Sequence, residues 1–522
     1  MSAARPGGVH PAAHAAVDPH RRAVVLHGTA DSVSYGELDS RSLRLAQALR
    51  AAGCGVGDTI AVLLGNHPRY AEVCWAANRS GLHYVPVNTR LSDAEASFIV
   101  EDSGAKVVVT CAALAAKAEA VRAASPGPRR WLMMDGASAG TASYEEELAA
   151  HPALRLADET EGAVMLYSSG TTGRPKGILR PLSGLPPGST MLGHDSRVSS
   201  AYELDGDSVV LIPSPLYHSM GVHRLMMATG LGATVVLLAR FDAAAALDAI
   251  EAHRVTHAAW VPTMFVRFLR LDPVERSRAD LSSMVAASVG SAPCPAWVKA
   301  AMIEWWGPII TEVYGGSEGM GMTRISSEEW LARPGSVGRA VYGEPRIVRA
   351  DGTEAATGED GVVYFAGGRP FEYHGDPART ASVRTEAGWT TLGDIGHLDD
   401  DGYLYLTDRA VDLIIVGGAN VYPREVEDLL LGHPAVDDVA VIGLPDDEYG
   451  EQVKAVVSLR VPGAACEALA AELIAHCRSN IAGYKCPRSV DFEAELPRGE
   501  NGKLYKRVLR DRYWEGHGTR LL

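Results

Sequence analysis

The sequence predicts an α/β protein of two domains: a large unit of mixed sheets flanked by helices over residues 1–408, and a small α+β unit over 410–522. Three observations carry this. The chain has 522 residues, beyond the usual size of one hydrophobic core. Short apolar runs without alternation, "TIAVLL" (59–64), "KVVVT" (106–110) and "TVVLL" (234–238), read as strands covered on both faces, as in parallel sheets. The composition also changes near Asp408. The Gly- and Asp-dense "GWTTLGDIGHLDDDGYLYLTDR" gives way to "EVEDLLLGHP", "DVAVIGLP" and "VKAVVSL", the pattern of a self-contained α+β unit.

Local signals place the covering helices. Ser34 and Glu37 in "SYGEL" form a capping box, and Leu38, Leu45, Ala46 and Leu49 then recur at helical spacing until Gly53. The Ala-rich stretches 241–252 and 296–303 fit further helices. "AVMLY" (163–167) reads as one apolar strand.

The charge balance, 49 Lys+Arg against 64 Asp+Glu for a net −15, argues against nucleic acid or an anionic membrane as the main partner. Seven cysteines without a CxxC pair disfavour a disulfide framework and a zinc site. No apolar run approaches the roughly 18 residues of a membrane span. The first residues have no apolar h-region, so the expected compartment is the cytoplasm.

"YSSGTTGRPKG" (167–177) follows the "AVMLY" strand directly. A Gly/Ser/Thr turn there gathers backbone N–H groups and hydroxyls into one small volume, suited to phosphate oxygens, and glycines let the backbone come close. It is not a Walker loop, because Lys176 lies three residues after Gly173 and is followed by Gly177.

The string resembles the phosphate-binding signature of the adenylate-forming superfamily, in its acyl-CoA synthetase branch. "YGELDSRSLRLAQAL", "GLHYVPVNTRL", "PLYHSMG", "EVYGGSEG", "GWTTLGDIG", "DRAVDLIIVGGANVYPREVE" and "LPRGENGKLYKRVLR" also resemble family segments, in the family's order, from about residue 25 to 512. The resemblance implies an ATP-dependent, AMP-forming acid–thiol ligase that uses Mg2+ and coenzyme A and works through an acyl-adenylate.

It also implies roles for particular residues. Ser168, Ser169, Gly170, Thr171, Thr172, Gly173 and Lys176 would cradle the phosphates. Glu318 would hold Mg2+, beside Ser317, which stands where Thr is commoner. Tyr314 would lie along the adenine, with Glu312 and Gly315 as further nucleotide contacts. Asp394 would bind the ribose hydroxyls, which alone would read as an Asx turn, and Arg409 would support ribose and α-phosphate. Lys503 would be the catalytic lysine of the small domain, so the domains must close for chemistry. Gly417 and Gly418 would border the pantetheine of coenzyme A. Val411 occupies the hinge, where the family commonly has Asp or Lys.

His218 in "PLYHSMG" is expected at the mouth of the acyl pocket as a further catalytic candidate. Met220, Gly290, Ser291, Ala292, Gly316 and Met322 are expected in its wall. With no buried basic anchor legible, the expected acid is apolar: fatty, aryl or polycyclic. The alternatives are a half-reaction specialist, suggested by Val411, or an adenylating enzyme that loads an acyl carrier protein. A homodimer is a candidate assembly.

Overall fold

A computed structural model describes residues 9–128, 130–168, 175–190, 202–409, 412–416, 419–446, 449–499 and 502–514, with Asp408, Arg409 and Asn420 described by their backbone alone. The apolar runs become strands where the sequence expects them. Thr59–Val62 and Ala105–Cys111 lie in a six-stranded, all-parallel sheet. All four residues of Thr59–Val62 are buried, as helices on both faces require. The capping box forms at Ser34 and Glu37 and opens the helix Tyr35–Ala51. The Ala-rich stretches become the helices Ala243–His253 and Ala296–Trp306.

"AVMLY" departs from the expectation. It forms two strands in different sheets, broken at Met165. Ala163–Val164 closes the six-stranded sheet beside His83–Pro86. Leu166–Ser168 pairs antiparallel with Lys176–Leu179, which pairs with Glu372–Tyr373. An apolar pentapeptide carries no signal for a change of partner at its centre.

The second sheet positions the site. Its parallel part runs Arg22–Leu26, Thr234–Leu237, Val209–Ile212, His257–Trp260, Ala286–Gly290 and Ile310–Gly315. Beyond Ile310–Gly315 the pairing turns antiparallel through Met322–Ile325 and Ser336–Tyr342. Ligands in open α/β sheets bind beyond the carboxyl ends of parallel strands, where the topology switches. Those ends lead here into His218, Ser291 and Glu318.

The region after Ile414 has its own sheet. Ala419–Val421, Ile414–Val416, Gly450–Leu459 and Val436–Asp446 pair antiparallel in that order, and Ser489–Phe492 joins parallel. Helices Pro423–Leu431 and Glu467–Asn480 cover a separate core that includes Val426, Leu430, Val441 and Leu473.

One buried ion pair fixes the strand beneath the site. Lys299 Nζ, fully buried on the helix Ala296–Trp306, stands 2.8 Å from Glu312 Oε2 on Ile310–Gly315, and lies 4.9 Å from the centre of the Trp330 ring. Removing one partner strands a charge in a low-dielectric interior. Lys299→Met is expected to destabilise the protein by about 3–5 kcal/mol in urea unfolding. The double variant Lys299→Met/Glu312→Leu should recover most of that loss.

Candidate active site

The strand ends, the three-stranded sheet of Leu166–Ser168, Lys176–Leu179 and Glu372–Tyr373, and the small C-terminal unit enclose one cavity of about 940 Å³. Of the nucleotide residues expected from the sequence, Ser168, Lys176, Glu312, Tyr314, Gly315, Ser317, Glu318, Asp394 and Lys503 line it. Of the acyl residues, His218, Met220, Gly290, Ser291, Ala292, Gly316 and Met322 line it too. Residues brought from six separate stretches of sequence thus meet in one space.

Ser168 and Lys176 face each other across the antiparallel pair that brackets residues 169–174. Burial and the neighbouring Arg379 hold the Lys176 ammonium below its ordinary pKa. Ser169, Gly170, Thr171, Thr172 and Gly173 lie outside the described residues, as do Val411, Gly417 and Gly418.

Glu318 follows the end of Ile310–Gly315 and is 8% exposed, so this carboxylate is an interior group that still opens on the cavity. Tyr373 donates its hydroxyl to Glu318 Oε1 at 3.0 Å. Gly316 packs closely here: a Cβ on it would fall 2.7 Å from Leu392 Cδ1 and 2.9 Å from Glu318 Oε2, so these side chains would have to shift. Tyr314 donates its hydroxyl to Asp394 Oδ2 at 2.6 Å, which ties the expected adenine and ribose residues together. Arg409 pairs through its backbone with Asp394 on the adjacent strand. The Glu312 carboxylate, in contrast, is engaged by Lys299.

Lys503 arrives from the small unit. Arg498 grips both carboxylate oxygens of Asp438, at 2.6 and 2.7 Å, and donates to the Gly502 carbonyl at 2.7 Å. Gly502 has φ +73°, a left-handed backbone that favours glycine, and a Cβ there would stand 2.6 Å from Thr263 Oγ1 of the large unit. The turn that carries Lys503 is therefore pressed against the large unit. Arg424 donating to the Leu406 carbonyl at 3.1 Å and Arg270 bound to Asp437 add to the same contact.

The acyl end holds groups that the sequence reading missed. His218 precedes the helix Ser219–Leu231 and meets Tyr217 edge-on, ring centres 4.8 Å apart. Two turns of that helix bring His223 and Arg224 to the cavity wall. His223 Nδ1 donates to the Ser219 carbonyl at 2.8 Å, and burial lowers its pKa to about 4, so its imidazole is neutral at physiological pH. Arg224 is buried and donates to Ser288 Oγ at 2.8 Å. Arg180 donates to the Ser317 carbonyl at 2.8 Å, and Arg369 lies close enough to Arg180 that burial and mutual repulsion pull its pKa to about 10.

The absence of a buried basic anchor is therefore corrected. The legible signal was a lone cation inside the apolar "SMGVHRLMMATGL" (219–231). Periodicity alone could not say whether that position met solvent or the cavity.

Comparison with known proteins matches this arrangement. The AMP-binding enzyme profile covers residues 12–372, and the AMP-binding enzyme C-terminal domain profile covers 425–503. A feruloyl-CoA synthase of an Amycolatopsis species is 36% identical over 510 residues, covering 97% of this chain and 99% of its own. A long-chain-fatty-acid–CoA ligase of Mycobacterium tuberculosis is 33% identical over 505 residues, covering 96% and 97%. The structure of o-succinylbenzoate CoA synthetase from Bacillus subtilis, in complex with the acyl-adenylate intermediate OSB-AMP, superposes with a TM-score of 0.81 at 28% identity, covering 97% of this chain and 98% of that one. With one profile spanning most of the large unit, a second spanning the small one, and relatives aligned over nearly their full length, this chain belongs to the AMP-binding enzymes.

Proposed function

We propose that the protein is an acyl-CoA ligase that activates a carboxylic acid with an apolar body, whether fatty, aryl or polycyclic, and transfers the acyl group to coenzyme A. The observation that carries this is the delivery of Lys503 into the cavity that also holds Glu318 and Asp394. In the first step a carboxylate oxygen bonds to the α-phosphorus of ATP, the bond to the bridging oxygen breaks, and pyrophosphate leaves. In the second, the thiolate sulfur of coenzyme A bonds to the acyl carbon and AMP leaves with the C–O electron pair. The thiol needs no dedicated base, since a pKa near 8.5 leaves part of it ionised at neutral pH.

Phosphoryl-type chemistry asks the protein mainly for position and for positive charge where negative charge gathers. Lys503, a compact ammonium, meets the developing charge between the acid and the α-phosphate. Lys176 stands at the hairpin that would cradle the outer phosphates. Asp394, steadied by Tyr314, accepts the ribose hydroxyls, with Arg409 on the neighbouring strand.

Mg2+ fits the donors present. Among the described residues no cluster of three or more metal-ligating side chains exists. One fixed carboxylate, Glu318, suits an ion held otherwise by phosphate oxygens and water. Bound there, Mg2+ would neutralise phosphate charge. His218, Met220, Gly290 and Met322 would surround the acyl group, Met adapting to its shape.

The small unit, taken as 410–522 with its hinge at Val411, would rotate between the two steps. Among the described residues no helix is long and apolar enough to cross a membrane, and we place the enzyme in the cytoplasm.

Two assays separate the half-reactions. Acid-dependent exchange of labelled pyrophosphate into ATP reports adenylation, and synthetic acyl-adenylate plus coenzyme A reports thioester formation. Both should proceed with the same acid; loss of either overturns the complete-ligase reading. Lys503→Ala should slow exchange on the order of 100-fold while sparing the thioester step. Gly502→Ala should slow exchange about tenfold, through backbone strain and the clash with Thr263. Chelation of Mg2+ by EDTA should abolish exchange, and added Mg2+ should restore it.

A further inference from the structure

The chemistry above makes no use of Arg224. This side chain is buried at the acyl end of the cavity and lines it. Its Nη2 donates to Ser288 Oγ at 2.8 Å, and its guanidinium carbon lies 3.7 Å from the centre of the Tyr202 ring. Among the described residues no carboxylate forms an ion pair with it.

The neighbours fix which end of the cavity it serves. Ser288 lies on the strand Ala286–Gly290, which runs into Ser291 and Ala292, and the Tyr202 hydroxyl is 3.8 Å from Met322 Sδ. These belong to the acyl wall. Arg180, in contrast, binds the Ser317 carbonyl next to Glu318, at the phosphate end.

A guanidinium has five N–H donors. One serine hydroxyl and one aromatic face satisfy only part of that capacity. Burying an arginine without a counter-ion is costly, and a wholly apolar acyl group sealed against it would leave that cost in place. An oxyanion would remove it, since carboxylate and sulfonate match the planar fork of arginine in two parallel hydrogen bonds.

We propose that Arg224 pairs with a second oxyanion, a carboxylate or sulfonate at the end of the acid remote from the reacting carboxyl, so that the preferred substrate is a dianionic acid with an apolar body. This rests on the ligase reading and narrows its substrate class. Met220 and Met322 pack along the apolar body, the reacting carboxyl meets the α-phosphate near Lys503, and Arg224 reads the far end.

The test compares matched acids in the pyrophosphate exchange assay. Straight-chain and aryl monocarboxylates of graded length are each run against their ω-carboxy counterparts. Wild-type enzyme is expected to favour the diacid in kcat/KM by roughly 10- to 100-fold in the pairs of fitting length, with most of the difference in KM. Arg224→Met should erase that ratio, and Arg224→Lys, which keeps the charge but not the fork, should restore part of it. A wild-type preference for the monoacid in every pair overturns the proposal and leaves the ligase reading standing, and so does an unchanged ratio in a Met variant whose circular dichroism and thermal midpoint match wild type. Exchange with neither series removes the ligase reading and the pairing together. If the Met variant fails to fold, the wild-type ratios decide alone.

Discussion

Parallel pairing from Arg22–Leu26 across to Ile310–Gly315 is the constraint on which the rest depends. It sends the carboxyl ends of consecutive strands to one edge, and each end there releases a loop with a different chemical task. Val209–Ile212 leads to His218, Ala286–Gly290 to Ser291, and Ile310–Gly315 to Glu318. The switch to antiparallel pairing at Met322–Ile325 opens the crevice that those loops share. The buried Lys299–Glu312 pair holds the last parallel strand at the correct depth, so the Tyr314–Glu318 segment projects from a fixed base.

Charge in the cleft runs against the charge of the whole. The chain carries a net −15, yet Lys176, Arg180, Arg224, Arg369 and Lys503 all line one cavity. Polyanionic substrates would be repelled at long range by such a surface. That repulsion is screened within about a Debye length at physiological salt, whereas charges in a partly buried cleft act at contact and are screened far less. The cavity thus gathers cations inside a chain whose net charge is negative.

The division into two units serves the same economy of position. Lys503 sits on a turn fixed internally by Arg498 and Asp438, so its backbone is carried by the small unit.

How much of this was legible depends on whether a feature is local. Ser34 with Glu37 specified a helix start through neighbours three residues apart, and the Val-rich runs specified buried strands by being apolar on both faces. The motifs at 167–177, 314–318, 394 and 503 were legible because their residue types and order resemble a family pattern. The sequence by itself therefore determined the elements with local signals, the two-unit plan and sixteen of the residues that line the cavity. Only the tertiary structure decided which further cations line the cavity. Arg180, Arg224 and Arg369 are separated by 44 and 145 positions along the chain, and an arginine is read as solvent-facing until packing encloses it. The split of "AVMLY" at Met165 and the engagement of Glu312 by Lys299 were hidden for the same reason. Hydrogen-bond partners and burial are set by contacts between distant segments, and those contacts exist only once the chain is folded.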